Sequence, residues 1–369
     1  LIPPSPMPIR INSAAILKHN LRLPLPKTMR HLSVPSQETA SWRQKLSDKN
    51  WLATGHSIHN LGKERGIPLN EKAPTEFPGL VILDLEPIKT GPKHWTERLD
   101  TDLFEKYREY WPMSHDQIGD VVLLKLPNEL GGYGKTIADA ILAQHPNIRV
   151  VCADNGVKGE FRVRDLEVLG YSESSTTLTK VRENGHDFMT DPGKVYYSPR
   201  LATERQKNIE TVNYLSKKLG RKISVCDPYA GVGPALVPLL KHESVAKIYA
   251  SDLNPQAHAI LSNNLPGAWT SCSDARELSK EIPECCDLLL VNIPHSTLEH
   301  LPDLIGLLKK GHEVIVRGWA IVGNVDLDKI KDEIKTIFAK SEIISLNTDS
   351  QKSYSPNEVY LNFEVELII

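Results

Sequence analysis

The chain has 369 residues, 40% hydrophobic and 24% charged, a length that fits two or three domains. A formal net charge of −2 gives no global attraction to a polyanion, so any nucleic-acid role must rest on local clusters. No apolar run approaches the roughly 18–20 residues that span a bilayer, which excludes a helical membrane protein. The five cysteines (Cys152, Cys226, Cys272, Cys285, Cys286) show neither a CxxC pair nor zinc-ligand spacing. Free thiols in a reducing compartment, and no metal, are therefore expected. His295 and His300 lie five apart without a third ligand and read as ordinary loop or helix residues.

Five Lys/Arg and seven prolines precede the first acidic residue, Glu38. Residues 1–27 are expected to be a disordered leader. An acid-poor start also suits a mitochondrial targeting segment, but the prolines oppose an amphipathic helix. A cytoplasmic location is expected, with the mitochondrial matrix as the alternative. "PSQETASWRQKLSDKNWL" predicts a helix with Trp42 and Leu46 on one face, inside a small module over residues 28–79. "EKAPTEFPG" reads as a linker.

A second unit is expected over residues 80–193. "IGDVVLLKLP" predicts a strand, "GKTIADAILAQH" a helix, "IRVVCA" a strand, and "GEFRVRDLEVLG" a half-exposed strand from its alternation. From residue 194 to 369 the pattern changes. "TERQKNIETVNYLSKKLG" is helical, with Gly220 as a stop. Strand and helix patterns then alternate through "SVCD", "PALVPLL", "KIYASD", "PQAHAILSNN", "DLLLVNIP", "LPDLIGLLKKG" and "HEVIVRGWA". That alternation predicts an α/β, Rossmann-like domain with a mostly parallel sheet, preceded by the α+β unit.

Ligands in such sheets bind beyond the carboxyl ends of the strands. Three features lie there: Asp227, Tyr229, Gly231 and Gly233 in "DPYAGVG"; Asp252 and Asn254 in "SDLNP"; and Asp274 in "SCSDAREL". A dinucleotide fingerprint needs a third glycine where this chain has Leu236. An acid before the glycines suits an amino or sulfonium group better than a pyrophosphate. Asp252, 19 residues beyond Gly233, can accept bonds from two ribose hydroxyls, and Asp274 can meet an adenine amino group. The expected cofactor is S-adenosylmethionine. "NIPHS" follows the next buried strand, and Asn292 with Pro294 resembles the Asn–Pro turn by which class I methyltransferases hold a base edge.

With "GEFRVRDLEVLG", "KVYYSPRLATER", "DPYAGVGP", "ASDLNP" and "NIP" in this order, the chain resembles the archaeal and eukaryotic tRNA guanine-N1 methyltransferases acting at tRNA position 37. The likeness runs from about residue 80 to the C-terminus. The N-terminal module is more loosely similar to the family's tRNA-reaching domain. The resemblance implies methyl transfer to N1 of guanine, with tRNA as partner, and the chain acting as a monomer without a membrane. It places the general base at Glu204 and the group that stabilises developing charge at Arg164. Arg162, on the same face, remains the alternative. Asn292 would hold the guanine edge and pack against the cofactor, beside Pro294. Arg200 and Arg205 would be phosphate contacts or structural. Lys158–Arg162–Arg164 and Lys217–Lys218–Arg221–Lys222 are the local basic clusters. Asp252 stands where some archaeal relatives carry Glu.

Three rival readings remain. Wybutosine-pathway enzymes use the same cofactor at the same tRNA position, as aminocarboxypropyl transferases or as methylases of the tricyclic intermediate. The Asn-x-Pro turn favours methyl transfer over the first of these. A tRNA-binding protein without catalysis has no reason to keep Glu204, Asp252 and Asn292. An NAD(P) oxidoreductase is opposed by Leu236.

Overall fold

A computed structural model of the chain describes residues 28–323, 327–355 and 358–369; the leader expected over residues 1–27 lies outside them. The chain divides into two compact units, one ending at Lys93 and the other running from His94 to Ile369. Among the described residues no helix is long and apolar enough to cross a membrane.

The first unit contains β1 (Met29–Pro35), α1 (Thr39–Asp48), β2 (His59–Leu61), β3 (Glu64–Pro68) and β4 (Val81–Leu85). They form an antiparallel sheet in the order β2-β3-β1-β4. Leu32 and Val34 of β1 and Ile67 of β3 pack with Leu46 of α1 and Phe77. The expected boundary at 79/80 is corrected here. β4 pairs with β1 from Met29↔Leu85 to Ser33↔Val81, so a cut at residue 79 would expose an edge inside a sheet.

The second unit opens with α2 (Thr101–Lys106), which Asp100 caps by accepting from the backbone N–H of Asp102 and Leu103. Then come β5 (Asp116–Ile118), β6 (Val121–Leu124), α3 (Gly134–Gln144), β7 (Val150–Lys158) and β8 (Val163–Tyr171). The sheet order is β5-β6-β7-β8. Only β6 and β7 run parallel, and α3 supplies the crossover that a parallel pair requires. A hairpin of β9 (Thr179–Glu183) and β10 (His186–Thr190) follows, turning at Asn184–Gly185.

The larger sheet is built from β11 (Ile223–Asp227), β12 (Val245–Ser251), β13 (Trp269–Ser271), β14 (Leu288–Val291), β15 (Glu313–Gly323), β16 (Glu342–Ser355) and β17 (Glu358–Ile368). Its order is β13-β12-β11-β14-β15-β17-β16, with all strands running one way except β17, which is antiparallel to both β15 and β16. The helices are α4 (Ala202–Leu219), α5 (Pro255–Asn264), α6 (Leu278–Glu281), α7 (Thr297–Leu304) and α8 (Leu327–Ile337). Strand order reverses beside β11, so the crevice of an open α/β sheet falls at its carboxyl end. The α+β part is not separate: Ile118, Val121, Leu123 and Val150 share one core with Val225, Leu236 and Leu288.

One predicted helix is absent. "PALVPLL" forms only a short 3-10 turn over Val237–Leu239. Pro234 and Pro238 both lack the N–H that a helix ladder needs.

Candidate active site

β11 ends in Asp227, and the chain then makes the glycine turn. Gly231 has φ +58° and Gly233 φ +84°, values that a side chain would strain. A Cβ at Gly231 would point into open space, with only the Tyr196 carbonyl oxygen at 3.8 Å. A Cβ at Gly233 would stand 2.9 Å from Leu261, so this residue is set by packing. Asp252, just past β12, receives the Gly231 N–H on Oδ2 at 2.8 Å and the Asn254 N–H on Oδ1 at 2.9 Å. It therefore braces the turn from the neighbouring strand.

Asp227 is buried and accepts the Tyr229 N–H at 3.0 Å, with no cation as partner among the described residues. Burial, with the Asp252 charge adding, pushes its carboxyl up to about 7. Burial raises Asp252 as well, against the two N–H donors. Two desolvated carboxylates beside an open glycine turn match the donor set that a cationic amino acid group and a ribose require. The residues fit S-adenosylmethionine. The Tyr229 hydroxyl shares a 2.8 Å hydrogen bond with His300 Nδ1, which gives that histidine a positioning role the sequence did not reveal.

β14 pairs with β11, so Asn292 emerges beside the glycine turn. It is half-buried, and among the described residues no hydrogen bond engages its amide. The Pro294 carbonyl accepts the Ile321 N–H at 2.7 Å, and Thr297 Oγ1 donates to the Ile293 carbonyl at 2.8 Å. The first bond holds the turn against β15, and the second closes the turn onto α7.

Glu204 occupies the first turn of α4, where the helix dipole favours a carboxylate. Its Oε2 accepts from Asn362 Nδ2 at 2.6 Å, and its Oε1 pairs with Lys207 Nζ at 2.8 Å. Arg317 lies 3.9 Å away and forms a 2.8 Å pair with Glu364. Arg317↔Glu364 and Trp319↔Asn362 are register partners on β15 and β17, so one sheet face presents this set to α4. Buried atoms here lack partners among the described residues: Arg317 Nε, Trp319 Nε1, Asn362 Oδ1 and both amide atoms of Asn208. Polar groups left so are what a hydrogen-bonding substrate or water satisfies.

Two sequence models match. The TYW2 N-terminal domain covers residues 95–170, and the TRM5/TYW2 methyltransferase domain covers residues 179–342. The chain is 30% identical over 262 residues to tRNA (guanine(37)-N(1))-methyltransferase Trm5b of Methanocaldococcus jannaschii, spanning 69% of this chain and 71% of that protein. The chain belongs to the tRNA (guanine(37)-N(1))-methyltransferase family. It is also 28% identical to the Pyrococcus abyssi Trm5b over 341 residues, 90% of this chain and 98% of that one. The crystal structure of Pyrococcus abyssi Trm5b superposes with TM-score 0.62 at 25% identity, covering 92% of this chain and all of that chain. A Trm5 bound to a leucine tRNA gives TM-score 0.66 at 25% identity, covering 92% of this chain and 99% of that one.

Within this member of the methyltransferase family, some expected site residues hold the molecule together instead. Asn254 is nine-tenths buried; its Oδ1 accepts the Gln256 N–H at 2.9 Å, capping α5, and its Nδ2 donates to the Lys194 carbonyl at 3.0 Å. Each end of its amide has a protein partner, so this side chain shapes the turn. Arg205 is buried in an ion pair with Glu183 and donates to the Ser198 carbonyl, out of reach of a phosphate. Asp274 follows β13 as expected, but it pairs with Arg276 at 2.6 Å, and that cation holds its carboxyl below the usual range.

Arg164 donates to Asp154 and lies 3.5 Å from Asp116, which also takes Arg200 at 2.9 Å. Arg162 is not on the same strand face. It precedes β8 in a turn with φ +51° and is exposed. It stands within electrostatic reach of His295, whose pKa is lowered by burial first and by Arg162 next. The cluster Lys217–Lys218–Arg221–Lys222 is partly committed, since Lys218 pairs with Glu366 and Arg221 with Asp287.

Asn264 was missed by the sequence reading. Its Oδ1 accepts the Met189 N–H at 2.9 Å, and its Nδ2 reaches the carbonyls of Met189 and Val232 at 2.8 Å. One amide thus ties α5, β10 and the glycine turn.

Proposed function

We propose that this chain transfers a methyl group from S-adenosylmethionine to N1 of guanine at tRNA position 37. The carrying observation is the Asn292 amide just past β14, which has no hydrogen-bond partner among the described residues, beside the acidic, glycine-turned end of β11. The bound cofactor supplies an electrophilic methyl group on a sulfonium. Asp227 meets its amino group, Asp252 its ribose, and the backbone of Gly231 and Gly233 allows the close approach, with Tyr229 packed alongside. Asp274 contributes to the adenine end through the turn it caps.

Guanine N1 is protonated near neutral pH and becomes a nucleophile only when a base removes that proton. Glu204 takes it, its carboxylate oriented by Asn362 and Lys207. Charge then develops on O6, and Arg164, aimed by Asp154, stabilises it. Asn292 holds the base edge, Pro294 shapes the turn, and Arg162 and Arg200 meet tRNA phosphates. The enzyme works as a monomer in the cytoplasm, in keeping with its five free cysteines.

The test is mass spectrometry of nucleosides from tRNA transcripts incubated with the protein and S-adenosylmethionine. 1-Methylguanosine with G37 and none with A37 is expected. An unmodified G37 transcript, together with conversion of a tRNA bearing the tricyclic base, would replace this reading with the wybutosine one.

A further inference from the structure

The sequence spacing of the cysteines gave no metal motif, yet three of them meet in the fold. Cys226 lies on β11, and Cys285 and Cys286 form the approach to β14. All three are buried, and their Sγ atoms lie within 4.8 Å of one another. The ladder Val225↔Leu288 and the bridge Cys286↔Leu308 hold the two segments in place. All three thiols are free of disulfides. Cys286 Sγ donates to the Leu307 carbonyl at 3.3 Å.

Three thiolates at about 2.3 Å from a central ion stand about 4 Å apart in a trigonal plane. A contraction of under about 1 Å closes this triangle. Among the described residues no histidine or carboxylate joins the group. Zn(II) wants a fourth ligand, whereas soft d10 ions favour thiolate sites. Entry is available: Cys285 lines a surface groove with Lys247, Tyr249, Ile282, Pro283 and Lys309. Lys247 and Lys309 on this groove are matched by Glu281 and Glu284, so its mouth sets up no net positive charge against an entering cation.

We propose that Cys226, Cys285 and Cys286 form a trigonal site for one soft monovalent d10 ion, with Cu(I) as its representative. Binding replaces three S–H protons by one Cu(I), releases three protons and leaves a cluster of charge −2. No electron moves. Because side chains alternate along a strand, the ion lies on the face of β11 opposite the Asp227 carboxylate. Occupancy would stiffen the strand that ends in the cofactor cradle.

The test uses the full chain under anaerobic conditions, with Cu(I) held as its bathocuproine disulfonate complex. Wild type and Cys272→Ser, a change at the exposed cysteine, should each remove one equivalent from the chelator; Cys285→Ser should remove none. Copper X-ray absorption of the loaded wild type should show three sulfurs at about 2.3 Å. The proposal fails if wild type leaves the chelator's copper untouched or if Cys285→Ser still takes one equivalent. It fails equally if the absorption shows fewer than three sulfurs. This last measurement needs no variant, so it decides the matter even if Cys285→Ser does not fold.

Discussion

Two buried aspartates stand at opposite ends of the central strands, and they are treated in opposite ways. Asp287, leading into β14 at the amino end, is enclosed by Arg221 at 2.7 Å, Lys309 at 2.8 Å, His312 at 2.9 Å and the Ser224 N–H at 2.7 Å. Burial works against its charge, yet these partners hold its carboxyl well below the usual range. Asp227, at the carboxyl end of β11, has one backbone donor and no cation among the described residues, and burial pushes it up to about 7. The first carboxylate is satisfied by the fold itself. The second is left wanting a positive charge, and that deficit marks the ligand end of the sheet.

The largest effect should come from removing chemistry without touching either aspartate. Glu204→Gln is expected to lower single-turnover methyl transfer by about 10²–10⁴-fold, with S-adenosylmethionine affinity within about twofold. Undiminished turnover would remove Glu204 as the base.

Asp227→Asn should sharpen the contrast directly. Cofactor affinity should fall at least about tenfold, an effect of roughly 1.4 kcal/mol. The apo protein should nevertheless melt higher at pH 8. A raised carboxyl pKa destabilises the fold as pH rises above the unfolded value near 4, and the penalty is complete above about 7. A lower apo melting temperature for the variant at pH 8 would show that Asp227 is satisfied after all. Wild-type affinity should also rise between pH 6 and pH 8 as Asp227 ionises; a flat profile would detach it from the cationic end of the cofactor.

Asp287→Asn should do the reverse, costing about 2–3 kcal/mol of stability while leaving cofactor affinity unchanged. Breaking a buried pair is commonly worth more, but Arg221 is partly exposed and can turn to solvent. The stability supplied by a depressed carboxyl is present above about pH 4 and drains away as pH falls below it. Acid melts of wild type and variant should therefore converge at low pH, and parallel curves would refute the assignment.

The smallest effect belongs to the surface. Arg200→Ala should raise the KM for tRNA a few-fold and reduce the salt slope by about one, with stability unchanged. Arg205→Ala should lower stability instead, because it strands Glu183 in the interior.

What could be read from the sequence was local. "DPYAGVG", "SDLNP" and "NIP" each place chemistry just past a short apolar strand, and each strand and turn forms there. The Asn184–Gly185 turn was equally local: two polar–apolar runs flank an Asn-Gly pair, a strong hairpin signal that went unread. The partners of Glu204 were beyond reach. Asn362 is 158 residues away, on a strand that returns antiparallel, and only the sheet register brings it to α4. The basic cluster Lys217–Lys222 misled for the converse reason: the acids that claim Lys218 and Arg221 arrive from residues 366 and 287. A capping side chain and a binding side chain share one sequence signature, and the capping bond of Asn254 to α5 was not legible from it.

The Asn264 amide has one more consequence. By joining α5, β10 and the Val232 carbonyl, it fixes the backbone of the glycine turn from outside the pocket. The cradle is therefore preorganised, its conformational entropy lost when the chain folds rather than when the cofactor arrives. Structures with and without cofactor should superpose closely through residues 227–233. Loop closure would then not limit the association rate, and any induced fit in catalysis would belong to the arrival of the RNA.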